Sequence, residues 1–384
     1  MGEGIAKRMI RMIMKNKIIC LLLPLFLLSC SKKSASDSTT PSQPESTTEI
    51  NGMADNKDIT ASPTLPFQVT EVWPDAESKD MDDIDDQVVA LIKDRDFDSL
   101  DELAAKLRAS KEAYANGLWK LSEVYASLVP PDEAAKDEWE NRMADLHDWV
   151  DAKPDSINAR VALAYFLASY AWNARGGGYA NTVKDDDWKL FNERLNEAMD
   201  VLKEAKNLNL KEPCPVYWST MMKAALGLQL DRNQFDDIFN QAIDNTPVYV
   251  PIYRQRAVYL MPRWDGSEGE LESDLEKSAD RIGGDDGDML YAQVVWNIHT
   301  SASSDNVFKE NNFSWPRVNR GFAAIEKRFP DSLAAISEHA YLAAYAGDDE
   351  TTREYLKKTE GKADLAVWYY KNEYIRVANW AFEK

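Results

Sequence analysis

The residues that could carry out catalysis are few and widely spaced in this sequence. The three histidines, His147, His299 and His339, lie in separate segments, and none begins the His-Glu-x-x-His motif of zinc hydrolases. A Gly-x-Ser-x-Gly elbow, which would expose a nucleophilic serine, is also absent from the sequence. The acidic run from Asp285 to Asp288 lacks the alternating carboxylates of a calcium-binding loop. We therefore expect no catalytic residue, no metal site and no cofactor.

Arginine and aromatic residues at predicted helix ends are better candidates for function, because such side chains outside a core often mark binding surfaces. Arg175 and Arg263 each end an apolar helix. A cation at that position also offsets the negative end of the helix dipole or pairs with a carboxylate, so a purely structural interpretation stays open. The candidate binding residues are Tyr170, Arg175, Tyr179, Arg263, Trp264 and Trp315.

Twelve tryptophans form a second group of candidates. In an exported protein, tryptophan can stack on carbohydrate beside two carboxylates that act as acid and nucleophile. No such pair stands out among the 65 acidic residues. An indole inside a helix more commonly fills the space between neighbouring helices, so the core interpretation is favoured for nine of the twelve. These nine are Trp119, Trp139, Trp149, Trp172, Trp188, Trp218, Trp296, Trp368 and Trp380.

The N-terminus has the pattern of a bacterial signal peptide. Basic residues precede an apolar run from Ile18 to Leu28, which is about half of the ~20 residues that a membrane-spanning helix needs. The run ends in Leu-Leu-Ser-Cys, which resembles the lipoprotein box and implies a lipid on Cys30. Ordinary cleavage of a secretory signal near Cys30 is the alternative. The chain could start at Met1 or at Met14, since a compact basic region follows either residue.

The residue after the lipobox cysteine and the overall charge predict where the protein resides and which partners it avoids. Ser31 follows Cys30, which by the usual lipoprotein sorting pattern favours the outer membrane, facing the periplasm. The formal net charge is −20, and such a surface repels nucleic acid and anionic lipid headgroups. We therefore expect attachment to the membrane through the lipid on Cys30, and no nucleic-acid partner.

Composition divides the chain into four parts. Residues 1–29 form the signal peptide. Residues 30–66 carry the lipid anchor and are rich in Ser, Thr and Pro, so they cannot bury enough apolar surface to fold and are predicted to be a disordered linker. The rest contains Trp, Leu and Ala throughout and can form a large core. We divide it into an N-terminal helical region, 67–155, and a helical-repeat region, 156–384.

The pattern of apolar residues in these last two parts predicts an all-α fold. From Trp188 to Ala205 they recur every three or four positions, with charged residues opposite. Asp185-Asp186-Asp187 marks the start of this helix, and Gly176-Gly177-Gly178 marks the end of the helix before it. Fifteen helices are predicted without strands between them, including 114–128 and 364–380. Their connectors favour antiparallel helix pairs stacked as a degenerate tetratricopeptide-like solenoid.

Three phrases carry a resemblance to a known family. They are Tyr170–Ala180 (YAWNARGGGYA), Tyr259–Ser267 (YLMPRWDGS), and Trp315-Pro316-Arg317 followed by Gly321-Phe322. In this order they resemble the bacterial family called domain of unknown function 4034, over about Ser156 to Lys384. The resemblance implies a helical, repeat-like fold and brings no activity with it. Asp265 departs from the family's second phrase, where a glycine is expected.

Two functions follow as hypotheses from these observations. The first is a non-catalytic interaction module on a lipid-anchored tether, whose curved helical face binds a protein, a peptide or an envelope polymer. The second is an envelope enzyme that acts on glycan or peptide, which requires carboxylates with raised pKa to converge in a closed cleft.

Overall fold

A computed structural model describes residues 60–62, 64–73, 76–177, 180–301 and 306–384. The predicted signal peptide, Cys30 and Tyr179 lie outside these described residues. None of the helices within them has the length and apolar character to cross a membrane.

The described residues confirm the all-α prediction. They form eighteen α-helices, one short 3₁₀ turn at Ala180–Thr182 and two strands of three residues. The helices are α1 Ala76–Lys93, α2 Phe97–Ser110, α3 Lys120–Ala126, α4 Lys136–Ala152, α5 Ile157–Arg175, α6 Asp185–Glu204, α7 Lys206–Lys211, α8 Pro215–Gly227, α9 Arg232–Asn245, α10 Val250–Tyr259, α11 Glu270–Ile282, α12 Gly284–Ser301, α13 Val307–Glu310, α14 Trp315–Arg328, α15 Leu333–Tyr345, α16 Asp349–Lys358, α17 Leu365–Trp368 and α18 Lys371–Glu383.

Ten of the described helices form five pairs, in which a buried helix is combined with an amphipathic one. Helices α5, α8, α10, α12 and α15 are buried on nearly all sides, which their small and apolar residues permit. Each packs against an amphipathic helix that follows it, namely α6, α9, α11, α14 and α16 respectively. This arrangement agrees with helix pairing, while the stacking of the pairs as a tetratricopeptide-like solenoid stays a prediction.

The helix boundaries expected around residue 180 are confirmed. Helix α5 ends at Gly176, whose φ of 67° is accessible to glycine at little cost. Helix α6 begins at Asp185, with Asp186 and Asp187 also in its first turn. No side-chain cap bonds its first amides, so these carboxylates act on the positive end of the helix dipole.

The predicted helix over 114–128 is wrong in its first half. Residues 113–119 form a tight loop in which Ala113 and Trp119 make an antiparallel bridge. Asn116 and Gly117 turn the chain: the Asn116 side chain accepts from the Leu118 amide at 2.8 Å, and Gly117 has a φ of 78°. A short helix, α3, follows this turn.

The expectation that no strands occur is also wrong. Strand β1, Thr70–Val72, pairs in parallel with strand β2, Lys362–Asp364, and Thr70 lies opposite Lys362. The predicted helix over 364–380 is interrupted at Tyr369, whose φ of 59° ends α17 before α18 begins. The first described residues are therefore held against the last helices of the chain.

Candidate functional site

Three of the predicted binding residues, Arg175, Arg263 and Trp264, line one pocket of about 580 Å³. This volume falls within the range of small-molecule sites, roughly 300–1,000 Å³. Helices α5, α6, α8 and α10 contribute to its wall, together with the turn that follows α10. We call it the Arg–Trp pocket and define it by Trp172, Arg175, Trp188, Tyr259, Arg263 and Trp264.

Arg175 is positioned by the end of helix α5. The chain turns away at Gly176, and the Arg175 guanidinium donates to the Gly176 carbonyl at 3.0 Å. The guanidinium carbon lies 5.8 Å from the Trp172 ring centroid and 5.7 Å from that of Trp188. Both separations are within cation–π range, so the two indoles help to orient this arginine in the pocket.

Arg263 and Trp264 are positioned by a compact turn after helix α10. The Trp264 amide donates to the Met261 carbonyl at 2.9 Å, and the Asp265 amide donates to the Tyr259 carbonyl at 3.2 Å. The turn closes at Gly266, where a Cβ atom would collide with the backbone carbonyl of Leu260. Glycine is therefore required at this close approach of two backbone segments.

The aromatic wall of the pocket is built from rings packed edge to face. Phe191 lies 5.0 Å from Trp172 at an interplanar angle of 84°, and 5.5 Å from Trp188 at 78°. Trp172 and Trp264 are 6.3 Å apart at 73°. These are favourable geometries for aromatic pairs, and they hold several ring faces at steep angles to one another.

The pocket arginines are partly desolvated. Loss of water lowers the pKa of Arg175 and of Arg263 below the usual arginine value. Arg263 forms no ion pair or hydrogen bond with any residue that the structure describes. Arg256, which is buried, differs from Arg263 because it forms ion pairs with both Asp236 and Asp274. Arg263 lies at the exposed side of the pocket, so its hydrogen-bond donors are open to solvent and to a group from outside the protein.

Two indole N–H groups beside the pocket also lack acceptors. The Nε1 atoms of Trp172 and Trp264 are shielded from solvent and have no hydrogen-bond partner among the described residues. A buried donor left without a partner costs about 1–3 kcal/mol. Because both N–H groups are covered by protein, they are not available to a ligand in the pocket.

Two carboxylates reach the pocket, and both already have structural roles. Asp231 caps helix α9 by accepting from the Gln234 amide at 3.0 Å. Asp265 accepts from the Tyr259 hydroxyl at 2.9 Å and lies 3.8 Å from Arg232. Each is exposed to solvent. The pair therefore lacks the enclosed surroundings of a catalytic acid and base.

The structure does not bring Tyr170 or Trp315 to this pocket. Tyr170 is buried, stacks on Trp139 at 4.7 Å between ring centroids and has the Arg194 guanidinium 3.2 Å from its own centroid. Trp315 begins helix α14 and donates through Nε1 to Asp348 at 3.0 Å. Both side chains hold neighbouring helices together.

The histidines are not placed for metal binding. His299 and His339 are buried in separate aromatic clusters, while His147 lies near the surface, 3.7 Å from Glu197. Burial lowers the pKa of His299 to about 4 and that of His339 to about 3. Within the described ranges, no group of three or more metal-ligating side chains comes together.

Helices α10 and α12 share a face that is covered by an earlier segment of the same chain. The segment from Tyr114 to Pro130 is buried almost throughout. Arg254 on α10 donates to the Asn116 carbonyl at 2.7 Å, and Gln293 on α12 donates to the Ala115 carbonyl at 2.8 Å. This face is therefore already filled, whereas the Arg–Trp pocket is not filled by any described residue.

Sequence reasoning missed the other members of the pocket. Trp172 and Trp188 were assigned to the core, which is correct for the buried Trp172 but incomplete for the partly exposed Trp188. Tyr259 belongs to one of the family phrases but is not among the predicted binding residues. Their apolar type and helical spacing resemble those of ordinary core residues, so only the packing of α5, α6 and α10 distinguishes them.

A comparison with protein families adds one match. A family described as a domain of unknown function (DUF4034) matches residues 86–225. The matched range contains Arg175 and ends before Arg263, so it begins and ends earlier than the Ser156–Lys384 range of the three phrases. No curated protein matches the chain significantly. Over residues 86–225 the chain is therefore similar to the DUF4034 family, in which the domain has no known function.

Proposed function

We propose that this protein is a non-catalytic binding module of the bacterial cell envelope, held on the outer membrane by a lipid on Cys30. The Arg–Trp pocket is its ligand site, and a periplasmic protein, peptide or envelope polymer is its partner. The domain from about residue 67 onwards stands on the linker that residues 30–66 form. A lipid and a linker keep such a domain near the membrane while leaving its pocket accessible.

The observation that carries this proposal is the convergence of Arg175, Arg263 and Trp264 in one pocket. Arg175 and Arg263 are far apart in the sequence, and the fold brings both to one pocket. Arginine and tryptophan are the residue types most enriched at energetically important contacts. The Arg263 guanidinium has no partner among the described residues, which favours a ligand with acceptor oxygens.

The environment of the two pocket carboxylates favours binding over catalysis. A glycan hydrolase would need one carboxyl with a raised pKa and a second positioned across the substrate. Asp231 is engaged in capping a helix, and Asp265 is bonded to Tyr259 at the exposed rim. Removing either of them would first disturb a turn or a helix end.

The pocket is tested by capture from the envelope of the native organism. The full chain with Arg263→Ala and Trp264→Ala should capture at least tenfold less partner than the unaltered chain, because both side chains contact the ligand in this proposal. A matched control carries Arg281→Ala and Trp380→Ala, which change the same residue types away from the pocket. Equal capture by both double variants, with both folded by circular dichroism, refutes the site.

The lipid anchor is tested separately. With Cys30→Ser the chain should no longer incorporate a fatty-acid label and should leave the membrane fraction, since an acyl chain supplies most of such a protein's membrane affinity. Cys214→Ser is the matched control, because Cys214 is fully buried and should not affect labelling. Labelling that survives Cys30→Ser contradicts the anchor and leaves the pocket proposal untouched.

A further inference from the structure

The Arg–Trp pocket combines flat aromatic faces with guanidinium groups, and this combination narrows the ligand class. Trp172 and Trp188 flank the Arg175 guanidinium, and Arg263 and Trp264 line the same pocket from the turn after α10. A ligand that uses the whole pocket must offer a flat C–H face to the rings and oxygen acceptors to the arginines. Sugar rings that carry a carboxylate have both features on a single unit.

The unpaired guanidinium of Arg263 argues for an anionic group on that ligand. The chain is strongly acidic, with 65 acidic against 45 basic residues, yet Arg263 has no carboxylate partner among the described residues. The other arginines near this region are paired: Arg232 contacts Asp236, and Arg256 contacts Asp274. A planar carboxylate matches the geometry of a guanidinium better than a single hydroxyl does.

The hydroxyls of a sugar match the carboxylates of the pocket. Asp265 and Asp231, at the exposed side of the pocket, keep lone pairs that can accept from hydroxyl groups. A sugar supplies donors and acceptors around one ring, as this mixed lining requires.

An extended peptide fits the pocket less well. Peptides in grooves are commonly recognised through backbone hydrogen bonds, most directly at the edge of a sheet. None of the described residues that line the pocket belongs to a strand. The helix face on which such a peptide could lie is already covered by Tyr114–Pro130, a loop followed by helix α3. Arg254 and Gln293 bond two carbonyls of that loop.

We infer that the Arg–Trp pocket binds an acidic sugar of an envelope or extracellular glycan, with the ring against the indoles and the carboxylate on Arg175 and Arg263. This inference rests on the proposed function and names its ligand class. The sugar is bound and not cleaved.

The test measures binding of defined oligosaccharides to the full chain by calorimetry. The probes are oligomers of glucuronate and galacturonate, the matched neutral oligomers of glucose and galactose, and trialanine as a peptide with a free carboxylate. We expect at least one uronate oligomer to bind at least tenfold more tightly than its neutral match. Arg263→Gln should remove most of that preference, and Trp188→Leu should weaken both acidic and neutral sugars.

Matched controls keep the result interpretable. Arg281→Gln alters an exposed arginine outside the pocket and should leave binding unchanged. Stronger binding of trialanine than of any uronate, or an uronate preference that survives Arg263→Gln, overturns the inference. If no uronate binds while envelope capture still depends on Arg263 and Trp264, the ligand class is wrong and the proposed function stands. If neither probe nor envelope partner depends on these residues, both proposals fail.

Discussion

Gly117 is the residue whose replacement should most clearly disturb the occupied helix face. Its φ of 78° lies in the left-handed region, where a residue with a Cβ atom pays about 1–2 kcal/mol. A Cβ atom there would lie 2.6 Å from Val250 Cγ2 and 2.7 Å from Gln293 Oε1. Overpacking of this kind costs about 1–3 kcal/mol.

The neighbours of Gly117 have little freedom to relieve that clash. Gln293 is held by its hydrogen bond to the Ala115 carbonyl at 2.8 Å, and moving it sacrifices about 0.5–1.5 kcal/mol. Val250 is buried at the start of α10. Together with the backbone cost, Gly117→Ala should lower the free energy of unfolding by about 2–5 kcal/mol.

Urea unfolding of the full chain, followed by far-ultraviolet circular dichroism, measures this loss. Gly269→Ala is the matched control: its φ of 76° is nearly the same, but a Cβ atom there meets nothing within 4 Å. The control should therefore lose only the backbone cost of about 1–2 kcal/mol. If the two variants are equally stable, the Gly117 turn is not packed against α10 and α12, and the reasoning on the occupied face fails.

Two buried ionisable groups predict opposite pH dependences, each measured by urea unfolding at about pH 8 and about pH 5. Burial lowers the pKa of His299 to about 4, so the stability that neutral His299 contributes is present above the unfolded-state pKa of about 6.5 and is lost as pH falls. Between about pH 8 and about pH 5 the unaltered chain should therefore lose about 2 kcal/mol of unfolding free energy, whereas the His299→Gln variant should not lose it. Burial raises the pKa of Glu338, so the stability that protonated Glu338 contributes is fully present below the unfolded-state pKa of about 4.3 and is lost as pH rises. Because glutamine carries no charge to bury, the Glu338→Gln variant should be more stable than the unaltered chain at about pH 8. A pH dependence unchanged by either substitution contradicts the burial of that side chain.

The pattern of apolar residues was sufficient to predict the helices near the pocket. Helix α9 runs over 232–245 as expected, and α6 begins at the acidic triplet that starts with Asp185. These features are local, because a repeat of three or four residues, a charged first turn and a terminal glycine act within one helix. The same local reasoning placed Arg175 at a helix end correctly, whereas Arg263, also expected to end a helix, lies in the turn after α10, which ends at Tyr259.

Local patterns failed where a distant segment determined the conformation. Residues 114–119 have helical composition, yet they form a loop because Arg254 and Gln293 bond their carbonyls and Gly117 permits the turn. The strand at Lys362–Asp364 exists only because Thr70–Val72 pairs with it. A strand of three residues has no periodicity of its own to detect.

The sequence by itself therefore determined the helical class, the ends of many helices and the candidate residues Arg175, Arg263 and Trp264. Only the tertiary structure decided that these three share a pocket with Trp172 and Trp188, whereas Tyr170 and Trp315 lie elsewhere. The physical reason is that helical spacing specifies which side of each helix is apolar but not which helices meet. That choice depends on the fit between side chains from distant parts of the chain.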